Sequence, residues 1–512
     1  MLKQLNVEHI RPRPIEAAAV YNIIAAIYYS SSEDLDEVEN NLKIALEIEQ
    51  EHQLTNHVFV CETFRIFGAF HDRRNNWAKA LDYYDKTLRM AQNLARPNNP
   101  LDLARIAAAY NNIGIIYDLT HRYERAKYFY HLALKSYDQA FNAGGKDYHH
   151  ASAETLNNLA CVYDTEGDYE TSQKFQKKIL DIYKNTLGDK HLNVGKAYVN
   201  YGITLYCLGK FRDALHQCDK ALNIYTSLPL RPNQSIATVW SNAGESYRTL
   251  GETAHAIEYL AKGFHLRLSV HKNNATKNLD VATSYKILAD FYMSQEELCL
   301  ADIYARHALN IFQNSEGSDR DIDIASTYNI LGEIARRRGE LRASIRLHEA
   351  AFKIFSCILS QNHVMVADCF YNAAKTHLDQ KNYSRAILYC VYAKYIYKKR
   401  TPNHSNLSEI LSLMGRIYEA QVDYRHSNEY DRHRKEYDRQ ALQHAIACGD
   451  NANPLLVATY YDRQGENYYR TKQYVEAFNS WGTARELRLR LIRIRKERRT
   501  SNLDFYLDLH KS

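Results

Sequence analysis

Proline and glycine are scarce, at 8 and 19 in 512 residues, well below the average usage of about 5% and 7%. An all-β chain turns roughly every 8–12 residues, and this one lacks the residues to build those turns. Long helices are left. Tryptophan is also rare, at 3, against 41 tyrosines. No apolar run reaches the roughly 18 residues that cross a bilayer. The stretch Ala17–Tyr29 (AAAVYNIIAAIYY) imitates a signal-peptide core, but it starts late and contains Asn22, so no targeting role is expected. The nine cysteines are odd in number and never spaced C-x-x-C. That excludes a zinc framework and a secreted disulfide framework, and implies a reducing compartment, with the cytoplasm as the expected location.

A surplus of one charge is missing too. The net +6 is carried by 485–499, where Arg485, Arg488, Arg490, Arg493, Arg495, Lys496, Arg498 and Arg499 meet only Glu486 and Glu497 (8 − 2 = +6). The rest balances at 58 basic against 58 acidic. A body-wide nucleic-acid surface needs a clustered basic excess. None is present.

What the chain does have is repetition. Gly68, Gly114, Ala160, Gly202, Gly244, Ala289, Gly332, Ala374, Gly415 and Gly465, with Ala25 ahead of them, fall into register at intervals of 41–50 residues. Counting that small residue as position 8, eleven repeats begin at residues 18, 61, 107, 153, 195, 237, 282, 325, 367, 408 and 458. Position 4 is bulky (Tyr110, Tyr198, Trp240, Tyr328) and position 11 is usually Tyr (Tyr117, Tyr163, Tyr247, Tyr292). After a break at residues such as Gly167, Gly209, Gly251 and Gly339, a second segment carries small residues seven apart, as in Ala126/Ala133 and Ala214/Ala221. This pattern predicts two antiparallel helices packed knob into hole.

These columns resemble the tetratricopeptide repeat, and their long spacing is similar to that of kinesin light chains, beyond the usual ~34 residues. The clearest stretch is Thr155–Tyr163 (TLNNLACVY), then Gly167-Asp168-Tyr169, then Leu187–His191 (LGDKH). The resemblance covers about residues 15–490 and implies an all-α, right-handed superhelical solenoid of about eleven antiparallel helix pairs. A lead (1–14), a solenoid (15–400), a linker (401–407, TPNHSNL), irregular repeats with a basic capping helix (408–499) and a tail (500–512) are expected. Repeats 1 and 10 depart from the pattern, with Ser427 and Asp431 in core columns. No heptad coiled coil precedes the repeats as in kinesin light chains, so no membership of a motor complex is expected.

Catalytic motifs are missing: no G-x-S-x-G, P-loop, H-E-x-x-H or G-x-G-x-x-G. Gly144-Gly145-Lys146 follows a helix rather than a strand and reads as an inter-repeat loop. His149-His150 with Glu154 lacks a third ligand and reads as a solvated junction. No catalytic residue, cofactor or metal is expected, and no small-molecule substrate.

The resemblance places positions 2, 5, 6, 9, 12 and 13 of the first helix on a concave groove. Position 6 holds Asn112, Asn158, Asn200, Asn242 and Asn372; Lys196, Arg248 and Lys286 join it from neighbouring columns. An amide both donates and accepts, so such a ladder can pair with a peptide backbone whatever its side chains. Asn can equally serve contacts between repeats. In the chaperone-tail-binding members Lys at 5 accompanies Asn at 9; here Lys286 is followed by Asp290, and no chaperone-tail receptor is expected. The reading is a non-enzymatic adaptor that takes a peptide segment of a partner protein in its groove. The alternative is an assembly or regulatory subunit packed by its convex face. Arg493, Arg495, Arg498 and Arg499 read either as part of a solvated cap or as a contact for an acidic partner, RNA or an anionic membrane surface.

Overall fold

The computed structural model describes residues 13–31, 35–53, 57–145, 148–271, 278–315, 320–402, 404–425 and 428–490. They form helices in eleven successive pairs and no strand. The pairs are α1/α2 (Pro14–Ser31, Leu35–Glu51), α3/α4 (Val58–Arg73, Trp77–Leu94), α5/α6 (Pro100–Leu119, Tyr123–Asn142) and α7/α8 (Tyr148–Thr165, Tyr169–Leu187). Then come α9/α10 (Leu192–Cys207, Phe211–Ser227), α11/α12 (Asn233–Thr249, Thr253–Val270), α13/α14 (Leu279–Ser294, Leu298–Gln313) and α15/α16 (Arg320–Arg337, Leu341–Ile358). The last are α17/α18 (Val364–Asp379, Tyr383–Arg400), α19/α20 (Ser405–Arg425, Asn428–Ala447) and α21/α22 (Pro454–Arg470, 474–490). Each expected repeat is one pair. No helix among the described residues is long and apolar enough to cross a membrane.

The sequence stops and restarts the helices in a recurrent way. At α5, Asn99 Oδ1 accepts the amides of Leu101 and Asp102 at 3.0 and 3.1 Å, and Pro100 fills the first helical position. Between the helices of a pair one residue takes positive φ: Asn75, His121, Gly167, Gly209, Gly251, Glu296, Gly339, Lys381 or Lys472. That left-handed residue reverses the chain.

Position 8 is small because of what faces it sixteen residues on. A Cβ on Gly114 would lie 2.6 Å from the ring of Tyr130, and one on Gly68, 2.5 Å from that of Tyr84. Gly244 meets Leu260, Gly332 meets His348 and Gly465 meets Trp481 at 2.5–2.6 Å. Where position 8 is Ala, the residue sixteen on is smaller or unbranched: Gln176, Ala305 and Cys390 after Ala160, Ala289 and Ala374. Summed volume at the crossing is held level, as close packing requires. Gly202 is looser, its nearest neighbour 3.5 Å away beside Cys218.

Two stretches differ from the sequence reading. Residues 401–407 carry linker composition, yet Thr401, His404, Ser405 and Leu407 are buried and α19 starts at Ser405; the segment is a turn between pairs. Repeat 10 keeps an apolar core on α19 (Ile410, Leu413, Met414, Ile417) but adds a buried polar network on α20. Arg434, 2% exposed at its side chain, pairs with Asp431 at 2.7 Å and bonds Asn467, while Asp438 holds Arg463 at 2.8 Å. That is why its core columns look degraded. Of the nine cysteines, none is bridged and five are buried (Cys61, Cys218, Cys369, Cys390, Cys448).

The chain divides into two compact units, 1–162 with 175–186, and 163–174 with 187–512. In the first, Asn22 donates to Thr63 Oγ1 at 2.7 Å and Thr63 to Glu49 at 2.6 Å. The candidate site lies in the second.

Candidate functional site

Within the second unit the stack curls until its turns meet. Tyr169, after the α7/α8 turn, bonds His363 before α17, Oη···Nε2 3.2 Å. Phe211, opening α10, meets the His404 ring edge-on at 5.6 Å between centroids. Arg212 donates from its backbone to Asn451 Oδ1 and from Nε to Asp450 O, both at 3.1 Å. Gly251 lies so close to Asn453 that a Cβ would sit 2.7 Å from Oδ1, and one on Gly167 would sit 3.3 Å from Asn362 O. Three consecutive pair turns thus rest on three later inter-pair turns, all carrying Gly at the left-handed position (φ +77, +76 and +76 at Gly167, Gly209 and Gly251). Glycine supplies positive φ without a side chain, so these turns can be approached closely.

The curl lines a cavity of about 780 Å³ that is partly open to solvent. Its wall is drawn from the first helices of the pairs: Asp164, Tyr206 and Arg248 from position 12; Glu245, Asp290, Glu333 and Lys375 from 9; Lys286, Asn329 and Tyr371 from 5; Asp368 and Glu409 from 2. Of the expected groove residues, Arg248, Lys286 and Asn372 line it. Asn200, Asn242 and Lys196 lie in the same unit without contributing to the wall, and Asn112 and Asn158 belong to the first unit. The asparagine column does not form one ladder: Asn158 donates to Asn111 at 3.2 Å, and Asn242 Nδ2 is buried without a partner. Asn329 at position 5 is tied between Cys369 Sγ (3.0 Å) and His348 Nδ1 (3.1 Å), a link between repeats.

Two electrostatic halves share the wall. In one, carboxylates and cations alternate. Arg248 bridges Glu245 (3.0 Å) and Asp290 (2.8 Å), Lys286 holds Asp323, and Glu333 takes Arg336, Arg337 and Lys375 at 2.8, 3.0 and 3.1 Å. Burial alone would raise the Glu333 carboxyl, but Lys375 and the two arginines hold it well below the usual range. In the other half, Asp164, Asp368 and Glu409 have no cation within ion-pair distance among the described residues. Asp164 accepts from Thr204 at 3.4 Å, and its Oδ1 has no partner. Asp368 accepts from Tyr397 (2.5 Å) and Asn406 (3.4 Å), and Glu409 from Tyr371 (3.2 Å). Burial pushes Asp164 up to about 7 and Asp368 up to about 6, and raises Glu409.

The sequence reading missed Asp164, Tyr169, His363, Asp368, Tyr371 and Glu409. The columns of Asp164, Asp368, Tyr371 and Glu409 were readable as groove positions, but the meeting of the turns that carry Tyr169 and His363 depends on contacts between distant parts of the chain. The run of turn glycines was its one local trace. Among the described residues no group of His, Cys, Asp and Glu has metal-site geometry. At the C-terminus Ala484 is buried, Leu489 is exposed, Arg488 pairs with Asp462, and Arg490 pairs with Glu486 at 2.7 Å. Arg493, Arg495, Arg498 and Arg499 lie outside the described residues.

The tetratricopeptide repeat family model matches residues 152–227 and 193–267. A curated Arabidopsis thaliana protein, KINESIN LIGHT CHAIN-RELATED 2, is 22% identical over 351 residues, 67% of this chain and 50% of the relative. The chain therefore spans about half the length of that relative. Among solved structures, the apo form of RapI aligns with a TM-score of 0.52 at 14% identity, covering 70% of this chain and 90% of that one. BtubC (BKLC) from P. vanneervenii aligns at 0.37 and 19%, over 50% of this chain and 91% of that one. The likeness to RapI is one of fold alone.

Proposed function

We propose that this tetratricopeptide-repeat protein, with repeats of the kinesin light chain-related kind, is a non-catalytic interaction module that takes a short peptide segment of another protein into the cavity of its second unit. The observation that carries the proposal is this partly open cavity, whose wall is built largely from the groove columns of the first helices. Its volume falls in the range of about 300–1,000 Å³ at which small ligands are largely engulfed, which suits a few residues rather than a long extended strand. Asn372, Tyr206, Tyr371 and Tyr397 supply donors and acceptors that a peptide backbone can use. Repeats of this type serve protein–protein interaction generally, and the partner class is accordingly protein.

A second reading has its own observation. On α18, Leu388, Val391, Tyr392 and Tyr395 are 44–58% exposed at helical spacing, with Phe352 of α16 38% exposed. Such an apolar stripe suits packing into a larger assembly.

Photo-crosslinking separates the two. A benzoylphenylalanine at Ser326, in the cavity wall, should capture partner peptide in native extract, while one at Tyr395 should not. Capture at Tyr395 alone sinks the cavity reading and supports the convex one.

A further inference from the structure

The cavity wall is electrically lopsided, and the imbalance is local. Along α11, α13 and α15 each carboxylate on the wall has a cation of the protein beside it. Asp164, Asp368 and Glu409, contributed by the end of α7 and the starts of α17 and α19, have only neutral donors. The three form one region: Tyr169 and Cys207 each lie within electrostatic reach of both Asp164 and Asp368, and Asp368 within reach of Glu409. Burying a carboxylate without a counter-charge is costly, and the protein tolerates three on one wall of one cavity. The same region carries the rings of Tyr169, Tyr371 and Tyr397, and a tyrosine face attracts a cation through its quadrupole. An incoming cation would meet carboxylates and aromatic rings together; of the protein cations around them, Lys375 is engaged by Glu333 and Arg248 by Glu245 and Asp290, while Arg400 lies beside Tyr169 and His363.

Resting on the peptide reading above, we propose that the cavity selects a peptide bearing a basic side chain, whose guanidinium or ammonium group sits among Asp164, Asp368 and Glu409. The ligand supplies the counter-charge that the wall lacks. An acidic peptide is rejected by the same three groups.

The proton balance gives an independent signature. Asp164 is surrounded by Ser172 and Thr204, with Asp168, Tyr169 and Cys207 nearby and His363 against its backbone. Asp368 faces Tyr397, Asn406, Glu409 and Lys375, and Glu409 faces Tyr371, Lys375 and Arg248. Near pH 6.5 the first two carboxyls hold part of a proton each, because their values stand at about 7 and 6. A bound cation favours the carboxylate, so binding releases protons and tightens as pH rises from about 5 to 7.5.

The test titrates the full chain with three pools of acetylated, amidated pentapeptides whose central residue is Arg, citrulline or Glu, with the flanking positions randomised. Free argininamide forms a fourth arm, which tells a peptide-borne cation from a free one. The arginine pool should bind at least about tenfold tighter than the citrulline pool, and tighter than argininamide. Its binding heat at pH 6.5 should vary with the ionisation enthalpy of the buffer. Asp164→Asn/Asp368→Asn/Glu409→Gln should erase the preference with helicity unchanged; if that triple variant does not fold, Asp164→Asn alone should narrow it. Equal binding of all three pools overturns the cation proposal but leaves the peptide cavity standing. Binding of none overturns both. Argininamide matching the arginine pool overturns the claim that the ligand is a peptide.

Discussion

Tyr169 and His363 stand 194 residues apart in sequence and are joined by a 3.2 Å hydrogen bond. The proton on that bond can be assigned. His363 Nδ1 accepts the Met365 amide at 3.1 Å as the cap of α17, so Nε2 carries the hydrogen and donates to the phenol oxygen. Burial lowers the imidazole to about 4, which keeps it neutral at ordinary pH. Because its folded value lies below the unfolded one near 6.5, the stability it lends is complete above pH 6.5 and falls between 6.5 and 4. One neutral histidine thus caps a helix and ties two turns of the stack.

The turn glycines give the first prediction. Gly251→Ala should cost more than Gly339→Ala, although both sit at positive φ (+76 and +82). Around Gly339 there is open space, leaving only the backbone penalty of about 1–2 kcal/mol. At Gly251 the new methyl also displaces Asn453, whose Oδ1 caps α21 through the Leu455 amide at 3.0 Å; a lost cap adds about 0.5–2 kcal/mol. Urea denaturation of the two variants measures the difference, and equal losses would contradict the packed seam.

Crossing geometry gives the second. Gly114→Ala forces a Cβ to 2.6 Å from the Tyr130 ring and should destabilise by about 1–3 kcal/mol. Gly202→Ala has 3.5 Å of clearance and should be neutral or stabilise by up to about 1 kcal/mol through helix propensity. Thermal melts of both variants decide it; the same sign for both would refute the volume match.

Much of this was legible beforehand, and the reason is physical. Pairing, register and the small position 8 are local, repeated demands, so eleven imperfect copies average out the noise. Gly114 and Tyr130 announce each other within one repeat. The meeting of Tyr169 with His363, or of Arg212 with Asn451, depends on how far each pair rotates against the next, and no column encodes that sum. Asp431 looked like a defect in a core column because its partners, Arg434 three residues on and the Asn467 that Arg434 reaches, belong to a network rather than a repeat. The asparagine column was visible, but its side chains divide among roles: Asn158 bonds Asn111, while Asn372 faces the cavity.

Carboxyl chemistry gives the third prediction. Asp164 is held at about 7, above its unfolded value, so folding at high pH bears the cost of a buried charge. Asp164→Asn removes that cost. The variant should be more stable than the parent above pH 7, by a margin that shrinks by at most about 1.4 kcal/mol per pH unit and vanishes near pH 4. Denaturant midpoints from pH 4 to 8.5 measure it; a margin that grows toward acid would contradict the assignment.

Glu333 gives the fourth, with the opposite sign. Its Gln variant leaves Lys375, Arg336 and Arg337 facing each other without an anion. Loss of one partner of a buried pair costs about 3–5 kcal/mol, and the solvent these cations retain should bring this nearer 2–4. The parent's advantage is full above pH 4.5 and falls as Glu333 protonates in acid. Denaturation at pH 7 against pH 3 measures it; an unchanged difference would show that the charge has no part.

Hydrogen exchange on the full chain, free and saturated with the arginine pentapeptide pool, tests the central claim most directly. If the cavity is the peptide site, protection should rise together in segments far apart in sequence, around 164–170, 206–212, 326–333, 364–375 and 404–409, with 388–395 on α18 unchanged. Protection confined to 388–395, with the cavity segments exchanging as in the free chain, would contradict it.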